Sequence, residues 1–250
     1  MHKEQNITIF HIQRKDGSSL FLHPFSDSEL LLKLNDKVKI IGKYGREPRV
    51  ESLTMFRNDL YRYIETSVKS WISDIRFIPR FILSAAAFLV IYLFTSFVIR
   101  DPVPMIDELA LSLGGSIALF FILAKRDQNS DKSSKKRLEL RILIDKIVFE
   151  EDSFVKEIEE ILYHNESVDK AALIESISSY DDSNFKNGKD KDIKQIVSYL
   201  DKIFSSRIYR KKIDNLNKSD ANRIAKWVSD NKIDLSLFAI YKKLKKKIYM

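Results

Sequence analysis

A chain of 250 residues with 43 Lys and Arg against 35 Asp and Glu carries a formal charge of +8. Its mean hydropathy of −0.23 means that most of it is compatible with water. The absence of cysteine excludes disulfide staples and thiolate metal sites. Residues 1–80 hold 14 basic and 10 acidic side chains and residues 125–250 hold 28 and 22, a balance that anionic lipid headgroups account for without a nucleic-acid partner.

The opening MHKEQNITIF has no apolar run long enough for a cleavable signal, so targeting falls to the first apolar span further on. Ile7–Arg14 and Ser18–Phe25 flank Lys15, Asp16 and Gly17, and an Asp-Gly pair between β-rich runs predicts a hairpin. A two-residue loop at Asp16 and Gly17 would put Ile9, His11 and Leu22 on one face and Phe10, Ile12, Phe21 and His23 on the other. Both faces are partly apolar, which predicts a curled sheet or small barrel. SELLLKL fits a short helix or a strand, NDKVKIIGKYG a strand with Val38 and Ile40 on one side, and PRVESL a closing strand. The run Leu34–Val50 resembles the later strands of OB-like and SH3-like barrels. Gly42 to Gly45 fits the GXXG loop of KH domains, but that loop leads into a helix and Pro48 follows too soon, so a strand entering a glycine turn is the better reading.

Leu53, Phe56, Leu60, Ile64, Val68, Trp71, Ile75 and Ile78 recur at spacings of three and four, the apolar face of an amphipathic helix. That face would lie in the membrane interface or pack on the flanking domains. Pro79 then precedes Phe81–Ile99, nineteen uncharged residues of which twelve are Leu, Ile, Phe or Val. Their insertion is worth on the order of −4 to −7 kcal/mol. Met105–Ala124 forms a second span worth about −3 to −5 kcal/mol, provided that Asp107 and Glu108 stay at the outer interface, where a helix N-terminus also favours them. Carboxylates at such a boundary are also the best candidates for gathering cations or moving protons. Pro102 and Pro104 force a tight turn between the spans. Ser84, Ala85, Ser112, Gly114, Gly115 and Ala118 are small residues suited to close helix packing. Arg62, Lys69, Arg76, Arg80, Lys125, Arg126, Lys132, Lys135, Lys136, Arg137 and Arg141 flank the pair, against Arg100 in the turn, which predicts that both termini are cytoplasmic.

Beyond a polar junction, helical periodicity predicts a long helix over 134–163, with Glu150–Asp152 as a break, then helices at about 168–179, 191–208, 220–230 and 235–248. Ser219 and Asp234 are candidate N-caps, and Asn187 with Gly188 marks a loop. Two basic clusters, Arg207, Arg210, Lys211, Lys212 and Lys242, Lys243, Lys245, Lys246, Lys247, are candidate contacts to headgroups or a partner. No phosphate-binding loop, nucleophile elbow or paired-histidine motif is present, so no catalytic, cofactor or metal residue is assigned.

The expected fold is therefore a membrane α-helical hairpin of two transmembrane helices with a small N-terminal β-rich domain and a C-terminal all-α helical bundle. The domains are a cytoplasmic β-rich domain at 1–52, an amphipathic linker helix at 53–78, a two-pass hairpin at 79–126 and a cytoplasmic helical domain at 133–250. The expected location is a bacterial inner membrane, with an anionic bilayer and a protein partner or self-association as the interactions. The expected role is a non-enzymatic scaffold or adaptor. The alternatives are a homo-oligomeric pore subunit and a membrane-tethered nucleic-acid or nucleotide sensor.

Overall fold

In the computed structural model, the described residues are 5–35, 38–98, 106–178, 185–204, 221–230 and 232–249. They form strands β1 (Gln5–Gln13), β2 (Ser19–Leu22), β3 (Val38–Tyr44) and β4 (Val148–Glu151). The helices are α1 (Asp27–Lys33), α2 (Val50–Val98), α3 (Ile106–Gln128), α4 (Asp131–Asp145), α5 (Ser153–Ser167), α6 (Lys170–Ser178), α7 (Asp190–Phe204), α8 (Ala221–Asp230) and α9 (Leu235–Tyr249). The chain is mostly helical with a small mixed sheet, and it divides into two compact units.

The first unit gathers residues 1–26, 36–58 and 146–250. Its sheet has the order β2-β1-β3-β4, with β1 antiparallel to β2 and parallel to β3, and β3 parallel to β4. This is an open mixed sheet, where a curled sheet or small barrel was expected. The hairpin pairs Phe10 with Leu22, His11 with Phe21 and Ile12 with Leu20. Arg14 N–H donates to the Ser18 carbonyl at 2.8 Å, so the loop holds three residues, with Gly17 at φ +83°. That is one residue more than expected, and a shift of one exchanges the faces of a strand. Phe10, Ile12 and Leu22 therefore share one face, and His11 joins Phe21 on the other.

The first face is covered by α5, α7 and α9. Phe154, Val155, Ile158 and Leu162 on α5, Ile193, Ile196, Val197 and Leu200 on α7, and Phe238, Tyr241 and Leu244 on α9 repeat at helical spacing and close one core over Phe10 and Ile12. Asp152 starts α5 by accepting from the Phe154 and Val155 N–H groups at 3.0 and 3.2 Å. Asp234 does the same for α9, accepting from Leu237 N–H at 3.0 Å. A second cluster joins Leu173 and Ile174 of α6 to Val228 of α8 and Leu235 and Ala239 of α9. On the other sheet face, Phe21 stacks on Phe56 with ring centroids 4.3 Å apart, and Phe149 meets both edge-on. Gly42 makes room for this group, because a Cβ there would enter the Phe149 ring.

Two predicted stretches are revised, one helical and one extended. Residues 134–163 are two helices separated by β4, and PRVESL opens α2 instead of closing the sheet. A strand at 148–151 also means that the segment after the spans is not all-α. Ser219 and the first basic cluster, Arg207, Arg210, Lys211 and Lys212, lie outside the described residues, as does the turn containing Pro102 and Pro104.

The second unit holds residues 27–35 and 59–145. Leu30 and Leu31 of α1 are fully buried, and Ser67 on α2 donates to the Ser28 carbonyl at 3.1 Å. Leu60, Ile64, Val68 and Ile72 bury the N-terminal part of the α2 apolar face, whereas Ile75 and Ile78 are exposed. Pro79, expected just before the first span, lies inside one helix of 49 residues that includes both the linker stretch and the span. It removes a single backbone donor, and the helix continues on both sides of it.

Candidate functional site

The second unit contains two helices long and apolar enough to cross a membrane, α2 and α3. Three contacts align them antiparallel. Arg80 Nε lies 3.0 Å from Asp127 Oδ2, the Phe77 and Phe120 rings meet edge-on at 6.1 Å, and the Gly115 backbone approaches Ile91 so closely that an added Cβ would lie 2.7 Å from its Cδ1. Burial along the pair is inverted relative to a water-soluble protein. Phe81, Ile82, Leu89, Val90, Phe94 and Phe97 on α2, and Leu111, Ile117, Phe121 and Ile122 on α3, are exposed. Within residues 81–98 and 106–124 the buried positions are hydroxyl residues: Ser84, Thr95, Ser112 and Ser116. Three of these hydroxyls return their proton to the helix they belong to. Thr95 donates to Ile91 O at 2.9 Å, Ser112 to Glu108 O at 2.6 Å and Ser116 to Leu113 O at 2.9 Å.

Of the small residues singled out in the sequence, Ser84, Ser112 and Gly115 lie in the seam between the helices. Ala85 and Ala118 are exposed, and a Cβ on Gly114 would meet nothing within 4 Å. Periodicity defined the stripe but not which of two adjacent glycines faces the partner helix. Asp107 and Glu108 occupy the first turn of α3, with Asp107 exposed.

At the other end of the pair the seam meets a polar collar. Arg80 is 5% exposed, donates from Nη2 to the Ile72 carbonyl at 3.1 Å and lies over the Phe120 ring. In the sequence it was one flanking cation among eleven; its burial comes from packing that composition does not encode. The C-terminal carbonyls of α3 are capped, Asp127 O by the Ser130 and Ser133 hydroxyls and Gln128 O by Arg137 Nη2 at 3.0 Å. Arg137 Nε also pairs with Glu65 at 2.8 Å, and Lys136 Nζ lies over the Trp71 ring. Beside the collar a cleft of about 660 Å³ opens between α2 and α3, lined by Lys69, Asp74, Arg80, Phe120, Phe121 and Lys125 among others.

In the first unit, ionisable groups gather near the ends of β1 and β3. Lys43 Nζ bridges Asp152 Oδ2 at 2.9 Å and Asp192 Oδ2 at 3.1 Å. Burial opposes its charge, but the two carboxylates outweigh burial and raise its pKa; burial likewise opposes the Asp152 charge, and Lys43 with the α5 N–H groups lowers that pKa. Arg14 pairs with Glu166 and Asp234. Glu159 is fully buried and accepts Gln13 N–H at 2.8 Å. Burial raises its pKa to about 7, against Gln13 N–H and the Arg46 charge. His11, also fully buried, bonds through Nε2 to Ser19 Oγ at 3.0 Å, and burial lowers its pKa to about 4. Among the described residues no three His, Asp or Glu side chains are placed to hold a metal ion.

The C-terminal lysines are partly engaged within the unit. Lys245 pairs with Asp201 at 3.2 Å and with the Tyr241 hydroxyl, Lys247 donates to the Phe185 carbonyl, Lys242 lies over the Phe238 ring and Lys246 has a partner. Lys243 is half-buried. No protein family matches the chain, and no curated protein or solved structure matches it.

Proposed function

We propose that the chain is a two-pass membrane protein in which α2 and α3 form a transmembrane hairpin, with both flanks in the cytoplasm. In this reading the sheet-containing unit is a membrane-tethered scaffold for a protein partner or a second copy. The observation that carries the reading is the inverted burial of the helix pair. Exposed Phe, Leu and Ile beside buried Ser and Thr suit a hydrocarbon surrounding, in which backbone and hydroxyl groups must be satisfied inside the protein.

The sheet supports the same topology. β3 precedes the pair and β4 follows it, yet the two strands are hydrogen-bonded neighbours. Crossing the bilayer twice returns the chain to the side it left, which is what a shared sheet needs. Eleven basic residues flank the pair against Arg100 in the turn, which favours the cytoplasm for that side. The scaffold role draws on how ionisable groups are used in the first unit. Lys43 ties β3 to α5 and α7, and Arg14 ties the end of β1 to the end of α5 and the start of α9. These pairs stiffen a body that presents its outer surface to partners.

The test is the mass and composition of the full-length complex extracted from native membranes in mild detergent. A monomer or dimer carrying a stoichiometric foreign protein is the expected result. A homo-oligomer of four or more subunits that conducts ions after reconstitution would replace the scaffold with a pore.

A further inference from the structure

We infer that the cleft between α2 and α3 beside the collar binds the headgroup of an acidic phospholipid. The inference rests on the transmembrane reading above. The cleft, at about 660 Å³, has the size of sites that hold small ligands, and it opens where the apolar belt ends on both helices. On α2 it precedes Phe81, the first residue of the uncharged span; on α3 it follows the span at Lys125.

Its cations differ in availability. Arg80 is buried and committed to Asp127 and the Ile72 carbonyl. Lys69 and Lys125 are exposed and make no ion pair among the described residues, leaving two ammonium groups to face the cleft with the single carboxylate of Asp74. The C-terminus of a helix ordinarily repels an anion, but at α3 the Asp127 and Gln128 carbonyls are already capped by Ser130, Ser133 and Arg137. The cleft also has an aromatic wall: Phe120 and Phe121 line it, and Phe121 is 67% exposed, with much of the apolar belt that includes Phe81 exposed as well. Two lysines, one from each helix, and an aromatic wall running into the bilayer match an amphiphile with a phosphate head and acyl chains. A basic pocket between membrane helices on the cytoplasmic side is the usual setting for such a headgroup. A soluble phosphate would use the lysines and leave the wall unused.

Purified full-length protein is exchanged into mixed micelles containing equal phosphatidylglycerol and phosphatidylcholine and examined by native mass spectrometry. Wild type is expected to retain one phosphatidylglycerol in preference to phosphatidylcholine. The Lys69→Gln/Lys125→Gln variant should bind it about thirty-fold more weakly, while Lys191→Gln/Lys194→Gln, at exposed positions on α7, should bind as wild type. Equal retention of the two lipids, or a preference unchanged in the Lys69/Lys125 variant, overturns the inference. So does displacement of the lipid by millimolar glycerol phosphate, which would mark a plain phosphate site. Alkaline carbonate extraction of native membranes separates the two failures. Protein released by carbonate sinks the transmembrane reading, whereas protein retained without a phosphatidylglycerol preference sinks only the headgroup site.

Discussion

Glu159 and His11 are both fully buried, and their ionisation pulls stability in opposite directions. With a folded value of about 7 against 4.5 unfolded, Glu159 keeps its proton in the folded state after the unfolded chain has released it, so its contribution falls as pH rises from 4.5 to about 7. His11, at about 4 against 6.5, takes up a proton only after the unfolded chain has done so, and its contribution rises with pH from about 4 to 6.5. The two slopes cancel across the shared window. Replacing Glu159 by Gln keeps an acceptor for Gln13 N–H and removes one slope. The variant should gain stability steadily from pH 4 to 6.5 and exceed wild type at pH 8 by about 3 kcal/mol. Denaturant unfolding of the full-length protein in micelles checks this, read by Trp227 fluorescence in a Trp71→Phe background. Wild-type and variant profiles that run parallel would remove Glu159 from the pH dependence. Neither residue stood out in the sequence as a buried titrating group: Glu159 is one of several acids on an amphipathic helix, and the expected hairpin register put His11 on the wrong side of Phe21.

At the scale of elements, the seam distinguishes two neighbouring glycines. Gly115→Leu should force α2 and α3 apart at Ile91 and lower the thermal midpoint of the full-length protein in micelles by several degrees. Gly114→Leu, with open space around it, should leave the midpoint unchanged or raise it. Equal losses in both variants would mean that the seam lies elsewhere on α3. Elements with local signals were readable in the chain: Asp16 and Gly17 announced the hairpin, Asp234 a helix start, and the uncharged runs α2 and α3. β4 was not, because Leu143, Ile147 and Phe154 also fit a helical stripe, and the partner that makes residues 148–151 a strand lies about a hundred residues earlier. Pro79, read as standing just before the first span, lies instead in the interior of α2, a continuity that no local signal in the sequence announced.

For the whole molecule, the missing cysteines make topology directly measurable. In spheroplasts, Val103→Cys should react with an impermeant maleimide, while Ser18→Cys and Asn129→Cys should react only after permeabilisation. Labelling of Ser18→Cys and Asn129→Cys from opposite sides would contradict a double crossing. The sequence divided the chain at the spans into a domain before and a domain after them; the first unit instead draws on both sides of the pair, because β3 and β4 are joined by parallel pairing that no local pattern announces. That pairing also sets a clock for synthesis. A ribosome adding about 5–20 residues per second leaves the edge of β3 unpaired for on the order of 5–20 s while α2, α3 and α4 are made, which in the proposed two-pass reading is when the spans would enter the bilayer. Over that interval Phe10 and Ile12 also lack the helices that cover them. In that proposed reading, completion of the sheet would report that insertion has finished, and a nascent chain stalled in the spans would expose a bare strand edge and an apolar sheet face to chaperones and proteases.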